Sequence, residues 1–184
     1  MIKDSRVDTL FKSYNKQNKV YENIIFIDPG IGGTGWAFWK ELNTHQKKPT
    51  ILKSSGAFTP KGRKINWDGK VEMICAYNHP KFNSLDVKTV VIEFPEVWSG
   101  SVVSRTATDS GKLFKLVYLI GGIGEIVRRR NINLPILVTP KTWKGQLPKT
   151  VVIKRIKKIM PELITIANHE GDAIGMGLAA MGLL

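Results

Sequence analysis

The chain has 184 residues, 42% of them hydrophobic and 23% charged, enough to bury one core and too few for two. Its 28 Lys and Arg against 15 Asp and Glu give a formal charge of +13 and a pI near 9.9, a field that gathers polyanions and repels cationic partners. Nucleic acid is therefore the expected partner; no apolar run approaches the roughly 20 residues of a spanning helix, no signal-peptide core opens the sequence, and the lone Cys75 excludes an internal disulfide or a cysteine-based zinc cluster. These features predict a soluble, cytoplasmic protein with no membrane partner.

Residues 1–22 are polar and basic with weak periodicity at Val7, Leu10 and Phe11, an arm or a marginal helix, and residues 23–184 read as a single domain. Ile24-Ile25-Phe26-Ile27 is a continuous apolar run of the kind buried on both faces in a central strand, and it ends at Asp28-Pro29-Gly30. Trp36–Trp39 and Thr50–Phe58 predict two further strands, so three sequential strands suggest an antiparallel meander. Trp67–Tyr77 carries Val71, Ile74 and Cys75 at helical spacing. A strand is predicted over Thr89–Phe94, and a helix over Leu113–Val127 that runs out at Arg128-Arg129-Arg130, where positive charge suits the helix dipole. Pro135–Thr139 reads as a fifth strand. Val152, Ile153, Ile156, Ile159 and Met160 line one face of another helix, and a last helix starts near Asn168. The pattern predicts an α/β fold with a mixed five-stranded sheet flanked by helices.

Gly30-Ile31-Gly32-Gly33-Thr34-Gly35 satisfies the G-x-G-x-x-G pattern after a strand. A dinucleotide site would need a helix next and an acidic residue about 20 positions on, whereas an aromatic strand follows and residues 42–67 contain no Asp or Glu. An actin-like ATPase also opens with a strand ending in Asp-x-Gly, but it needs two such domains.

Asp28 ends the first predicted strand and Glu93 ends Val90-Val91-Ile92, so in neighbouring strands their carboxylates would meet at one edge, where open sheets bind ligands. Clustered carboxylates repel unless a cation neutralises them, and hard oxygen ligands favour magnesium or manganese. Taken singly, Asp28 also fits an Asx turn before Pro29-Gly30, and Glu93 a solvated strand end. The third acid is Asp172 in Asn168-His169-Glu170-Gly171-Asp172-Ala173. With Asn168 as N-cap, Asp172 would fall in the first turn, and His169, three residues earlier, on the same face. Glu170 points elsewhere and reads as a capping residue.

Ile27-Asp28-Pro29-Gly30 with Thr34-Gly35-Trp36-Ala37 resembles the first-strand motif of the RuvC Holliday-junction resolvases, of the ribonuclease-H-like superfamily. Val91-Ile92-Glu93, Asp109–Leu113 with Gly121-Gly122, Thr139–Gly145 and His169–Gly175 resemble further family segments in the same order, over roughly residues 24–184. The resemblance implies a ribonuclease-H-like fold and a structure-selective endonuclease for Holliday junctions or related branched DNA. It implies Asp28, Glu93, Asp172 and His169 as catalytic and metal-binding residues, with two Mg2+ ions about 3.5–4 Å apart, replaceable by Mn2+. It also implies a homodimer, for which the glycine-bearing helix Leu113–Val127 is the candidate surface. In the family an aromatic shortly after the second acid enters the junction centre, a role for which Phe94 and Trp98 are candidates. The long segment before the first strand and the distinct loop after Phe94 are departures of the kind seen in phage-encoded relatives.

From Pro140 to Met160 stand seven basic residues, Lys141, Lys144, Lys149, Lys154, Arg155, Lys157 and Lys158, and no acidic one. Such a stripe fits phosphate binding; the alternative is a solvated helix face, although solvated faces usually mix charge signs. Lys144 and Lys149 match the resolvase lysines near the scissile phosphate. Trp143 would stack on sugar or base, or pack beside Leu147 in the core. A non-catalytic branched-DNA-binding protein on the same fold is the alternative function, and a small-molecule phosphotransferase of the actin-like type a third.

Overall fold

A strand can be apolar at every position only where both faces of its sheet are covered, and β1 (Val20–Asp28) meets that condition, with Ile24, Ile25, Phe26 and Ile27 fully buried. The computed structural model describes residues 5–11, 19–44, 50–61, 65–96 and 110–184. β1 pairs antiparallel with β2 (Thr34–Asn43), and β2 antiparallel with β3 (Leu52–Phe58), the register shifting between Phe38 and Trp39. On its other side β1 lies parallel to β4 (Thr89–Glu93), which lies parallel to β5 (Ile136–Val138). The five strands are ordered β3-β2-β1-β4-β5, the mixed sheet expected, with the meander in place.

Side chains alternate across a sheet, and the two faces bury separate cores. Ile25, Ile27, Trp36, Phe38, Val90 and Ile92 meet helices α2 (Trp67–Ser84) and α3 (Lys112–Arg129). Phe26, Ala37, Trp39, Val91 and Val138 meet α4 (Pro140–Lys144), α5 (Lys149–Ile159) and α6 (Asn168–Ala180). Trp39 is fully buried and packs edge-on against Phe26 at 5.4 Å. Among the described residues, no helix is long and apolar enough to cross a membrane.

Several boundaries depart from expectation, among them that of β1, which begins at Val20 within the segment read as an arm or marginal helix. Helix α2 runs on past Tyr77 to Ser84 through Pro80; proline normally ends a helix because it has no N–H to donate, but Phe82 and Val87 are buried beyond it and hold the extension to the core. The fifth strand is shortened to three residues because Pro140 opens α4, the N-terminal position proline tolerates. The expected N-cap of α6, Asn168, is instead its first helical residue, and the cap is Ala167 in an extended conformation. Ala167 lacks a capping side chain; its backbone N–H donates to the Glu170 carboxylate at 3.2 Å. Asp172 consequently lies beyond the first turn, where only Glu170 is acidic.

The N-terminal segment contains helix α1 (Ser5–Phe11), whose Leu10 is fully buried in the α4–α6 core, while Arg6 donates to the Leu134 carbonyl at 2.7 Å just ahead of β5. Leu10→Ala should therefore cost about 2–5 kcal/mol, the range for emptying a buried leucine site, measured by denaturant unfolding. A loss below about 1 kcal/mol would mean that α1 is not docked.

Candidate active site

The strand register builds the site. Ile27 pairs with Ile92 across the parallel β1–β4 ladder, so Asp28 and Glu93, each one residue further on, stand side by side at the carboxyl ends of the two central strands. By the period of two they lie on the face of Phe26 and Val91, the face that α6 covers. Helix α6 approaches that face closely: a Cβ at Gly35 of β2 would fall onto the backbone of His169 and Glu170, and one at Gly30 would stand 2.8 Å from the His169 ring. These glycines let the N-terminal part of α6 press against the end of β1. Ser55 of β3 fixes it laterally, donating to Glu170 at 2.7 Å.

His169 and Asp172 are thereby brought to the two strand acids. His169 Nδ1 lies 2.7 Å from Asp28 Oδ2. Asp172 Oδ2 takes Lys149 Nζ at 2.6 Å, and its Oδ1 lies 3.8 Å from Lys144 Nζ. Glu93 Oε2 accepts the indole N–H of Trp143 at 2.7 Å. Asp28 and Asp172 are each 5% exposed, so charge here is poorly hydrated. Burial raises the Asp28 carboxyl above its ordinary value, against the hydrogen bond and charge of His169. Burial and then the charge of Asp28 push Glu93 up to about 7. The Asp172 charge adds to both shifts, so the three carboxylates sense one another. Its hydrogen bond to Asp28 raises His169, against burial.

This donor set suits a hard divalent cation. Asp172 Oδ1 is buried with no hydrogen-bond partner, and the carboxylates of Asp28 and Glu93 near it supply further oxygens. Among the described residues, no three His, Cys, Asp or Glu side chains meet in a finished ligand geometry; each of the three acids already gives one oxygen to a donor of the chain itself.

Of the basic residues singled out in the sequence, Lys144 and Lys149 reach the acids, whereas Lys141, Lys154 and Arg155 stand exposed on α4 and α5. Val152 and Ile156 bury the opposite side of α5, so Lys154, Arg155, Lys157 and Lys158 form its outer face. Phe94 is half-buried, packed against the α2–α3 core; Trp98 lies outside the described residues. Three contacts escape sequence reasoning. Lys144 and Lys149 fit the pattern of phosphate contacts, and nothing in their spacing pairs them with Asp172. Trp143 fits the core at 6% exposure, and periodicity reports a buried face without saying where an indole N–H points.

Two predictions follow from this charge arrangement. Lys149→Ala should destabilise the protein by roughly 1–3 kcal/mol, below the full value of a broken buried pair because the lysine is 40% exposed. Adding Asp172→Asn should recover much of the loss, whereas losses that merely add would deny the coupling. The folded state also keeps protons that the unfolded chain releases, on Glu93 between about 4.5 and 7 and on the His169–Asp28 pair. Stability in chelator should thus fall as pH rises through that window. Glu93→Gln should flatten the fall in thermal melts, and identical slopes would count against the buried acid.

No family model matches the chain, and comparison with curated proteins finds no match. Among solved structures, T. thermophilus RuvC in complex with a Holliday junction substrate superposes with a TM-score of 0.61 at 14% identity, over 86% of this chain and 92% of that one. A second Thermus thermophilus RuvC structure gives a TM-score of 0.60 at 14% identity, over 90% and 98%. The order and direction of the strands, the helices on both faces and these superpositions agree that the chain has a RuvC-like, ribonuclease-H-like fold.

Proposed function

We propose that this protein is a metal-dependent, structure-selective endonuclease that hydrolyses phosphodiesters in Holliday junctions or related branched DNA. The observation that carries the reading is the gathering of Asp28, Glu93 and Asp172, three distant acids, at one buried sheet edge with Lys144 and Lys149 against them. Branched DNA is the substrate to test because one of the similar structures is a RuvC bound to a Holliday junction.

In this reading Asp28, Glu93 and Asp172 hold Mg2+ or Mn2+, with His169 beside them. Bound there, such ions would supply activation of water and stabilisation of the charge on the leaving oxygen. With Nδ1–H donated to Asp28, His169 keeps Nε2 as its basic nitrogen, able to hold a proton or orient the water. Lys144 and Lys149 bind the scissile phosphate and offset charge that develops on it. Lys154, Arg155 and the other exposed bases of α5 follow the backbone away from the cut, with Lys141 on α4 at the near end, adding affinity that falls with salt.

Symmetrical cutting of a junction calls for two sites, so the proposal includes a homodimer related by an isologous contact. Its surface is α3, where Phe114 is 68% and Tyr118 62% exposed beside Gly121. The origin proposed is a cytoplasmic, phage-type enzyme.

A second reading, a non-catalytic branched-DNA-binding module, draws on the intrachain partner that each acid already has. Incubation with a four-way junction, a flap and plain duplex of matched sequence, in Mg2+ or Mn2+, separates the two. Cleavage of the branched substrates is expected, and Asp28→Asn should reduce it by about three orders of magnitude, equivalent to several kcal/mol of transition-state stabilisation, while junction affinity changes little. A wild type that binds the junction and leaves it intact in both metals would establish the binding module instead.

A further inference from the structure

We propose that Trp143 is a positioning residue for the acidic pocket: its indole N–H holds one oxygen of Glu93 and leaves the other directed to a divalent cation. The inference rests on the nuclease reading above, and assigns a role to a side chain that neither composition nor helical spacing marks.

The bond is short, 2.7 Å from Nε1 to Oε2, at the close end of the range for an N–H···O hydrogen bond. An indole N–H donates and cannot accept, and it carries no charge. It can therefore fix the orientation of Glu93 without neutralising it, which an arginine or lysine in the same place would do. Once ionised, the carboxylate keeps its charge for a cation, with Oε1 as the uncommitted oxygen.

The ring is itself fixed from several sides. It is 6% exposed, and a Cβ at Gly175 would come within 2.8 Å of its edge, so it lies hard against α6 one turn from Asp172. Lys144 Nζ stands 4.7 Å from the centre of the same ring and 3.8 Å from Asp172 Oδ1. One indole thus touches the support of two acids and steers a lysine. Packing alone does not require this bond, because Trp39, buried still more deeply on the same face, has an Nε1 with no hydrogen-bond partner.

Two measurements test the role in the full chain. Binding of Mn2+, followed by the resonance signal of the free ion, and cleavage of a four-way junction are compared between wild type and Trp143→Phe, which keeps an aromatic ring and removes the N–H. The variant should bind Mn2+ about tenfold or more weakly, the usual effect of removing a partner behind a metal ligand. Its cleavage should need correspondingly more metal, with metal-free junction affinity unchanged. A wild type that neither binds Mn2+ nor cuts overturns the nuclease reading, and this inference with it. A wild type that binds and cuts, beside a variant with the same metal dependence, overturns the role of Trp143 alone. Should the variant not fold, Mg2+ titration of the 15N-labelled wild type decides: of the five tryptophan indoles, one slowly exchanging signal should shift as the ion binds, and five unmoved signals would overturn the proposal.

Discussion

Three carboxylates buried within reach of one another are the constraint around which this molecule is arranged. Each is poorly hydrated, and each raises the energy of its neighbours' charge. The chain answers with donors from its second half: Trp143 on Glu93, His169 on Asp28, Lys149 on Asp172, and Lys144 close behind. Lys149 shows what is given up. It stands at the first position of α5, where a positive charge opposes the helix dipole, and pairing with Asp172 offsets that opposition.

The rest of the fold delivers those groups. A parallel register between β1 and β4 puts two acids abreast, and the alternation of side chains turns both toward the face that α6 covers. Gly35 and Gly30 then allow α6 to come close enough for His169 and Asp172 to join them. The opposite face packs a mainly apolar cluster against α2 and α3, so the clustered acids stand on one side of the sheet and a supporting core on the other.

Much of this was legible in the sequence, because the features that reveal it are periodic or local. The apolar run Ile24–Ile27 ending in Asp28, and Val90–Ile92 ending in Glu93, already imply buried strands with acids at their ends. The three-residue spacing of His169 and Asp172 implies a shared face. What stayed hidden depends on tertiary partners. Asn168 looks like the better cap, but the carboxylate of Glu170 takes over the task for Ala167. Pro80 looks like a stop, but buried residues beyond it carry α2 onward. Leu10 belongs to a weak periodicity in a polar segment, yet it is fully buried where α1 meets β5 and α6, more than a hundred residues away. Trp143 and Lys149 look like a packing residue and a phosphate contact, and only three-dimensional proximity shows that they also hold acids.

Lys149 can neutralise one anion at a time. A phosphate oxygen that draws its ammonium away leaves Asp172 bare, in surroundings where an unpaired charge is expensive. A cation that takes up Asp172 releases the same ammonium to the outside. Affinities linked through a shared group are reciprocal: under the proposed function, polyanion and metal would each strengthen the other's hold, and the basic surface and the acidic pocket would act as two halves of one thermodynamic unit.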